Sequence, residues 1–205
     1  MKILFAITFG AALNGLLFNT TLGTKGYTPQ TQEEMIQLLA KRCNTDTIAM
    51  RKILQTAQDV QYMHGVPAAV TMTVLLVESD GLQSQVKRMA NNCMGITKSF
   101  DWRGPVYCKK HREYDKVNKR YTETDVCFRA YPSIEDSIHD FGVFLTHQKR
   151  WWFADINDCP GFDYECWFIA LAGSENEPGY ASDYLAWKDN CMRVLKAYNL
   201  KLADI

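Results

Sequence analysis

Residues 70–97 read VTMTVLLVESDGLQSQVKRMANNCMGIT. Val70, Met72, Val74, Leu75, Leu76 and Val77 make an almost unbroken apolar run, preceded by Pro67 and two alanines. Proline suits the first turn of a helix, and Gly81 suits the position just past its end. The predicted helix covers residues 66–79 and is apolar nearly all round, so it belongs in the middle of a core. At its far end stands a single acid, Glu78. Apolar surroundings disfavour a carboxylate there, and so does the partial negative charge at a helix C-terminus. A carboxyl raised in this way holds its proton near neutral pH and can donate it to a leaving group. The competing reading is a rim glutamate, solvated or paired with Lys87 or Arg88, because structural ion pairs perturb pKa values too.

Upstream of this helix the pattern is helical throughout. Thr31-Gln32-Glu33-Glu34 has the form of a capping box ahead of Met35, Ile36, Leu38 and Leu39. A second helix is predicted over residues 46–63, with Ile48, Met50, Ile53, Leu54, Ala57 and Val60 at mostly helical spacing. Residues 83–90 allow a short helical piece before the Asn91-Asn92 turn. Downstream the period changes. After the turn Trp102-Arg103-Gly104-Pro105, a stretch opening on Val106 and Tyr107 and a second one from Tyr121 to Tyr131 flank a polar tip, which predicts a β-hairpin. Helix returns at Ser133, with Ile134, Ile138, Phe141 and Leu145 as its buried stripe, and again over residues 166–171 and 185–198. A helical body with one small hairpin lobe is an α+β arrangement.

The chain of 205 residues carries 23 basic and 23 acidic side chains. No net field recruits nucleic acid or an anionic membrane. MKILFAITFGAALNGLLFNTTLG, residues 1–23, pairs Lys2 with an apolar run and ends in small residues, the form of a secretory signal peptide cleaved after Gly23. Gly10, Asn14 and Gly15 interrupt it too often for a membrane span. Residues 28–205 are expected to form one exported domain, secreted or in the cell envelope, acting as a monomer. All seven cysteines lie beyond the leader, so disulfides are the natural reading. Cys159 and Cys166 enclose a short loop containing Pro160 and Gly161 and are the first choice. One pair is expected among Cys93, Cys108 and Cys127, and Cys43 with Cys191 would link the first and last helices. The odd count leaves at least one thiol unpaired.

Glu78-Ser79-Asp80-Gly81 followed by Asn91-Asn92-Cys93-Met94-Gly95-Ile96 resembles the signature of bacterial endo-β-N-acetylglucosaminidases that cut peptidoglycan. This is the glucosaminidase type of flagellar-rod and autolysin cell-wall hydrolases, glycoside hydrolase family 73. Cys127-Phe128-Arg129-Ala130-Tyr131 with the helix SIEDSIHDFGVFL is similar to the family's F-R-x-Y strand and following helix, and Gly179-Tyr180-Ala181-Ser182-Asp183 to its G-Y-A-T-D segment. In the family's order these matches span roughly residues 53–200. The resemblance implies a lysozyme-like body, a groove between body and hairpin, and glycan strands of peptidoglycan as substrate.

Glycosidic cleavage commonly needs an acid for the leaving oxygen and a second group to activate water or stabilise positive charge. Glu78 is the acid. The family's second carboxylate stands on the hairpin in a T-x-E-Y context, which Glu113 matches, although His111 replaces the threonine. Asp115, Glu123 and Asp125 are neighbouring candidates. The substrate's own N-acetyl group can also serve as nucleophile. Trp102, Tyr107, Tyr131 and Tyr180 fall in segments that match the groove and would stack on sugar rings. Trp151, Trp152, Trp167 and Trp187 sit in helical patterns and are read as packing. Asn91 and Asn92 are turn formers first, with amides able to meet an acetamido group. The four histidines show no zinc-ligand spacing, so neither a metal nor another cofactor is expected. Two rivals remain: a lytic transglycosylase, whose Gly-Leu-Met-Gln segment is missing, and an inactive wall-binding relative.

Overall fold

The computed structural model describes residues 27–99, 102–115, 118–150, 152–175, 177 and 179–205. The leader at residues 1–23 and Trp151 therefore lie outside the described residues, as does the side chain of Glu113. Eight described α-helices and one hairpin follow in chain order: α1 Gln32–Arg42, α2 Thr47–His64, α3 Ala68–Glu78, α4 Gln85–Ala90, β1 Val106–Asp115, β2 Arg120–Arg129, α5 Ile134–Leu145, α6 Phe153–Asp158, α7 Tyr164–Ala172 and α8 Tyr184–Ala197. A 3-10 turn, Leu200–Ala203, closes the chain. No described helix is long and apolar enough to cross a membrane.

The helix starts follow from side chains that take up orphan backbone N–H groups. Thr31 completes the capping box with Glu34, Asp46 caps α2 at Ala49 N, and Ser133 caps α5 at Asp136 N. The central helix α3 has no such local cap. Its N-terminus is served from the other end of the chain, where Asp204 Oδ1 accepts from Ala69 N at 2.8 Å. Every residue of α3 from Ala68 to Leu76 is buried. It packs against α2, α7, α8 and the 3-10 turn, the position its all-round apolar sequence calls for. The last residues also tie down α2, through Gln58 Nε2 to Ala203 O and Gln61 Nε2 to Ile205 O.

β1 and β2 form a two-stranded antiparallel hairpin in which Cys108 faces Cys127 and Glu113 faces Thr122. A bridge from Thr97 to Phe128 extends it on the β2 side. Its base is pinned by Lys98 N to Cys127 O and Arg129 N to Ile96 O. Its distal half docks on the loop before α8, where Tyr114 N donates to Ser182 Oγ and Tyr121 Oη donates to Asp183 Oδ2 at 3.0 Å. The hairpin is thus held at both ends.

Two disulfides are present, Cys108–Cys127 across the hairpin and Cys159–Cys166 around the loop before α7. The expected Cys43–Cys191 link is not made. Cys43 ends α1 and Cys191 lies within α8; both helices pack on the 3-10 turn, and beyond it α1 packs on α2 and α8 on α3 and α7. Both thiols are buried and free, as is that of Cys93.

Candidate active site

α3 ends at Glu78 because the next residues leave right-handed space. Asp80, Gly81 and Leu82 all have positive φ, of 50, 61 and 66°. Glycine takes this conformation freely, but each non-glycine residue there is strained by about 1–2 kcal/mol. Side-chain and backbone contacts hold the turn. Ser79 Oγ donates to Leu75 O and accepts from Leu82 N, and Gly81 N closes on Leu76 O. The Arg42 guanidinium lies against Gly81, where a Cβ would come within 2.8 Å of it, and pairs with Asp80 at 2.7 Å. Glu78 is in this way fixed at the negative end of α3 dipoles by a turn that cannot relax into helix.

The Glu78 carboxyl is half-buried and contacts two elements distant in sequence. Trp187, on the first turns of α8, donates its indole N–H to Glu78 Oε1 at 2.7 Å. On the other side lies Gly95, whose φ is +71° and where an added Cβ would fall 2.6 Å from Glu78 Oε2. Removal from water pushes the Glu78 pKa up to about 7, against the opposing pull of the Trp187 N–H. Neither Lys87 nor Arg88 pairs with it; Arg88 instead donates to Gln83 O. The carboxyl therefore has the character of an acid that is protonated near neutrality.

The turn carrying Gly95 is built by the paired asparagines. Asn91 sits in the left-handed region as the C-cap of α4, and its amide donates to Tyr131 O and Pro132 O. Asn92 is 1 % exposed, its amide spent on Ile96 O, Arg129 O and Ile96 N. It shapes the turn from within, and no polar atom of it is left for an acetamido group. Tyr180 likewise turns out to be interior. It is fully buried, packs on Trp187 at 5.5 Å between ring centroids, and donates its hydroxyl to Met94 O. An enclosed ring offers no face to a sugar, so the expected stacking role is replaced by support of the Gly95 turn and of Trp187.

The remaining aromatic candidates gather at the hairpin base. Arg129 is buried, donates to both oxygens of Asp140 and to Ser99 Oγ at 2.6 Å, and stacks on Trp102 at 4.7 Å. Tyr131, 8 % exposed, donates to Asp140 Oδ2 at 2.6 Å and packs on Trp102 at 5.7 Å. Trp102 and Tyr107 are half-buried. Along β1, position 113 shares the alternation of His111 and Phe128, two buried residues in edge contact at 5.5 Å. Glu123 and Asp125 fall on the opposite alternation and are exposed, with Asp125 paired to Lys110 at 2.9 Å. Asp115 accepts from Asn118 at the tip turn. Among the described residues no cluster of His, Cys, Asp and Glu is arranged to hold a metal ion.

Sequence reading missed Trp187 and the close approach of Gly95. Trp187 carried one usable signal, since a buried indole needs an acceptor for its N–H; which acceptor is a matter of tertiary structure.

Solved structures share this architecture. The catalytic domain of the autolysin Auto from Listeria monocytogenes superposes with a TM-score of 0.60 at 19% identity, covering 90% of this chain and 93% of that one. A peptidoglycan hydrolase mutant from Sphingomonas sp. A1 gives 0.61 at 22% identity, covering 82% and 97%. No curated protein matches the chain. The family model for glucosaminidase, described as mannosyl-glycoprotein endo-β-N-acetylglucosaminidase, matches residues 54–200, a span that holds Glu78, the Gly95 turn, the hairpin and α8. The chain belongs to the glucosaminidase family of glycoside hydrolases.

Proposed function

We propose that the chain is an exported peptidoglycan hydrolase that cuts the β-1,4 bond after N-acetylglucosamine within glycan strands, with Glu78 as the general acid. One observation carries this reading: a single half-buried carboxyl at the end of the central helix, with its pKa raised to about 7. Protonated Glu78 gives its proton to the glycosidic oxygen as the bond to C1 breaks. Glu113 supplies the second carboxylate, stabilising positive charge at C1 or orienting water. The strand alternation favours it over Glu123 and Asp125, which are exposed on the other face. The substrate's acetamido oxygen can act as nucleophile, which lightens the demand on that second group. Trp102 and Tyr107, each with part of its ring exposed, offer apolar faces to sugar rings. Family membership supports the bond cleaved, the Listeria and Sphingomonas neighbours support the polymer, and the two disulfides support an oxidising compartment.

Digestion of purified peptidoglycan, with the new ends identified by mass spectrometry, tests the reading. Reducing N-acetylglucosamine ends are expected. Ends in 1,6-anhydro-muramic acid would make the enzyme a lytic transglycosylase, and absence of new ends would make it a wall-binding protein.

A further inference from the structure

We infer that Trp187 and Gly95 together decide which oxygen of Glu78 gives up the proton, and that it is Oε2. The inference rests on Glu78 being the acid. An indole N–H can only donate, and Trp187 Nε1 points at Oε1 from 2.7 Å. Of the two oxygens of a neutral carboxyl, the carbonyl is the better acceptor. Oε1 is therefore held as the carbonyl and the proton resides on Oε2.

The indole has no freedom to choose otherwise. Trp187 is 1 % exposed, with Tyr180 at 5.5 Å and Phe168 edge-on at 6.2 Å. Because Oε1 is covered by a buried ring, the oxygen left for substrate is Oε2. Gly95 sets its position: the space a Cβ would fill is the space Oε2 occupies. The turn beneath is rigid, locked by Asn92 to both the N–H and the carbonyl of Ile96 and by Tyr180 to Met94 O. A sugar bond awaiting protonation is thus directed to the Gly95 side of the carboxyl.

In the chemical step the Oε2 proton moves to the glycosidic oxygen, and the electron pair of the breaking C1–O bond leaves with that oxygen. Water then supplies hydroxyl to C1 and returns a proton to Glu78. Between those events Glu78 is a carboxylate, and the Trp187 bond becomes charge-assisted and stronger. Trp187 is a positioning residue, acting through Glu78 alone.

The test replaces Trp187, in the full chain, by benzothienylalanine, which keeps the ring's shape but has sulfur where the N–H was. Two readouts follow. The C=O stretch of protonated Glu78, identified in infrared difference spectra as the band that Glu78→Gln removes, is expected to move to higher wavenumber when its donor is lost. The basic limb of the pH profile of kcat/KM is expected to move to higher pH, with a fall of roughly 10-fold or more in kcat/KM. A packing role would lower the rate and move neither. Trp187→Phe carries the same band measurement if the analogue is not accommodated. An unmoved band with inactive Glu78→Gln overturns this inference and leaves the acid assignment standing. A Glu78→Gln enzyme that still turns over refutes the acid, and this inference with it.

Discussion

Glu78→Gln should stabilise the protein at alkaline pH while removing its activity. The free side chain titrates at 4.5 and the folded one at about 7. Between those values the native state binds more protons than the unfolded chain, so the contribution of Glu78 to stability falls as pH rises through the window. Above pH 7 the full penalty is present, and the separation corresponds to about 3 kcal/mol. At pH 5 it is below about 1 kcal/mol, because the native carboxyl is still protonated and the pH has only just passed the unfolded-state value of 4.5. Glutamine is close in shape to the neutral acid and can accept the Trp187 N–H, but it never ionises. Other titrating groups cancel in the comparison of variant with parent. Urea unfolding of both at pH 5 and pH 8 should show a gap that opens with pH, to about 3 kcal/mol in favour of the variant. A gap that is flat with pH, or a variant less stable at pH 8, would refute the claim that desolvation dominates at this carboxyl. Activity should fall by roughly two or more orders of magnitude, as expected for loss of a general acid.

Three further outcomes follow from the geometry. Gly95→Ala places a methyl 2.6 Å from Glu78 Oε2 at a φ of +71°, so turnover on peptidoglycan should drop by about 100-fold, the usual cost of displacing a catalytic group by an ångström; an unimpaired variant would show that the turn does not position the acid. Asp204→Ala removes the remote cap of α3 at Ala69 N and should cost about 1 kcal/mol in urea unfolding. Glu113→Gln should lower kcat more than it raises KM, because its interaction with positive charge is strongest in the transition state, whereas Asp125→Asn, which only breaks the exposed pair with Lys110, should leave both constants near the parent values; the reverse pattern would assign the second carboxylate elsewhere.

What the sequence made legible was whatever depends on neighbours along the chain. Thr31 announced a helix start because capping is local, and the helices expected from residues 46 and 133 also begin on capping side chains, Asp46 and Ser133. The burial of α3 followed from a run that is apolar on nearly every face, and the hairpin from 106 to 129 from two strand-like stretches around a polar tip. Two short elements gave no such signal. α6, with the sequence FADIND, and the 3-10 turn at residues 200–203 are each under two turns long and too short to show a period. The cysteines divided on the same principle. Cys159–Cys166, seven residues apart, could be read from spacing, whereas Cys43 and Cys191 stand at the first and last helices, where position in sequence says nothing of the distance between two thiols. At the site, Glu78 was visible as the one acid ending an apolar helix. The roles of Tyr180, Asn92 and Trp187 were not, because whether an aromatic or an amide faces solvent or core depends on contacts with distant segments; Trp187 and Glu78 are 109 residues apart.

Those distant contacts converge on one short segment, residues 180–187. Tyr180 reaches back to Met94 O and steadies the turn beneath Glu78 Oε2. Ser182 accepts from the backbone of β1 at Tyr114, the residue after Glu113. Asp183 divides its two oxygens between Tyr121 of β2 and Ala186 N, so one carboxylate both anchors the hairpin and caps α8. One helical turn later, Trp187 meets Glu78 Oε1. The body and the hairpin therefore share a common reference at the start of α8. A displacement of this segment moves the hairpin, the indole on Glu78 and the support of the Gly95 turn together. That is a physical reason for a buried tyrosine and a helix-capping aspartate to accompany Glu78 in this chain: they fix the distance between the end of α3 and the hairpin.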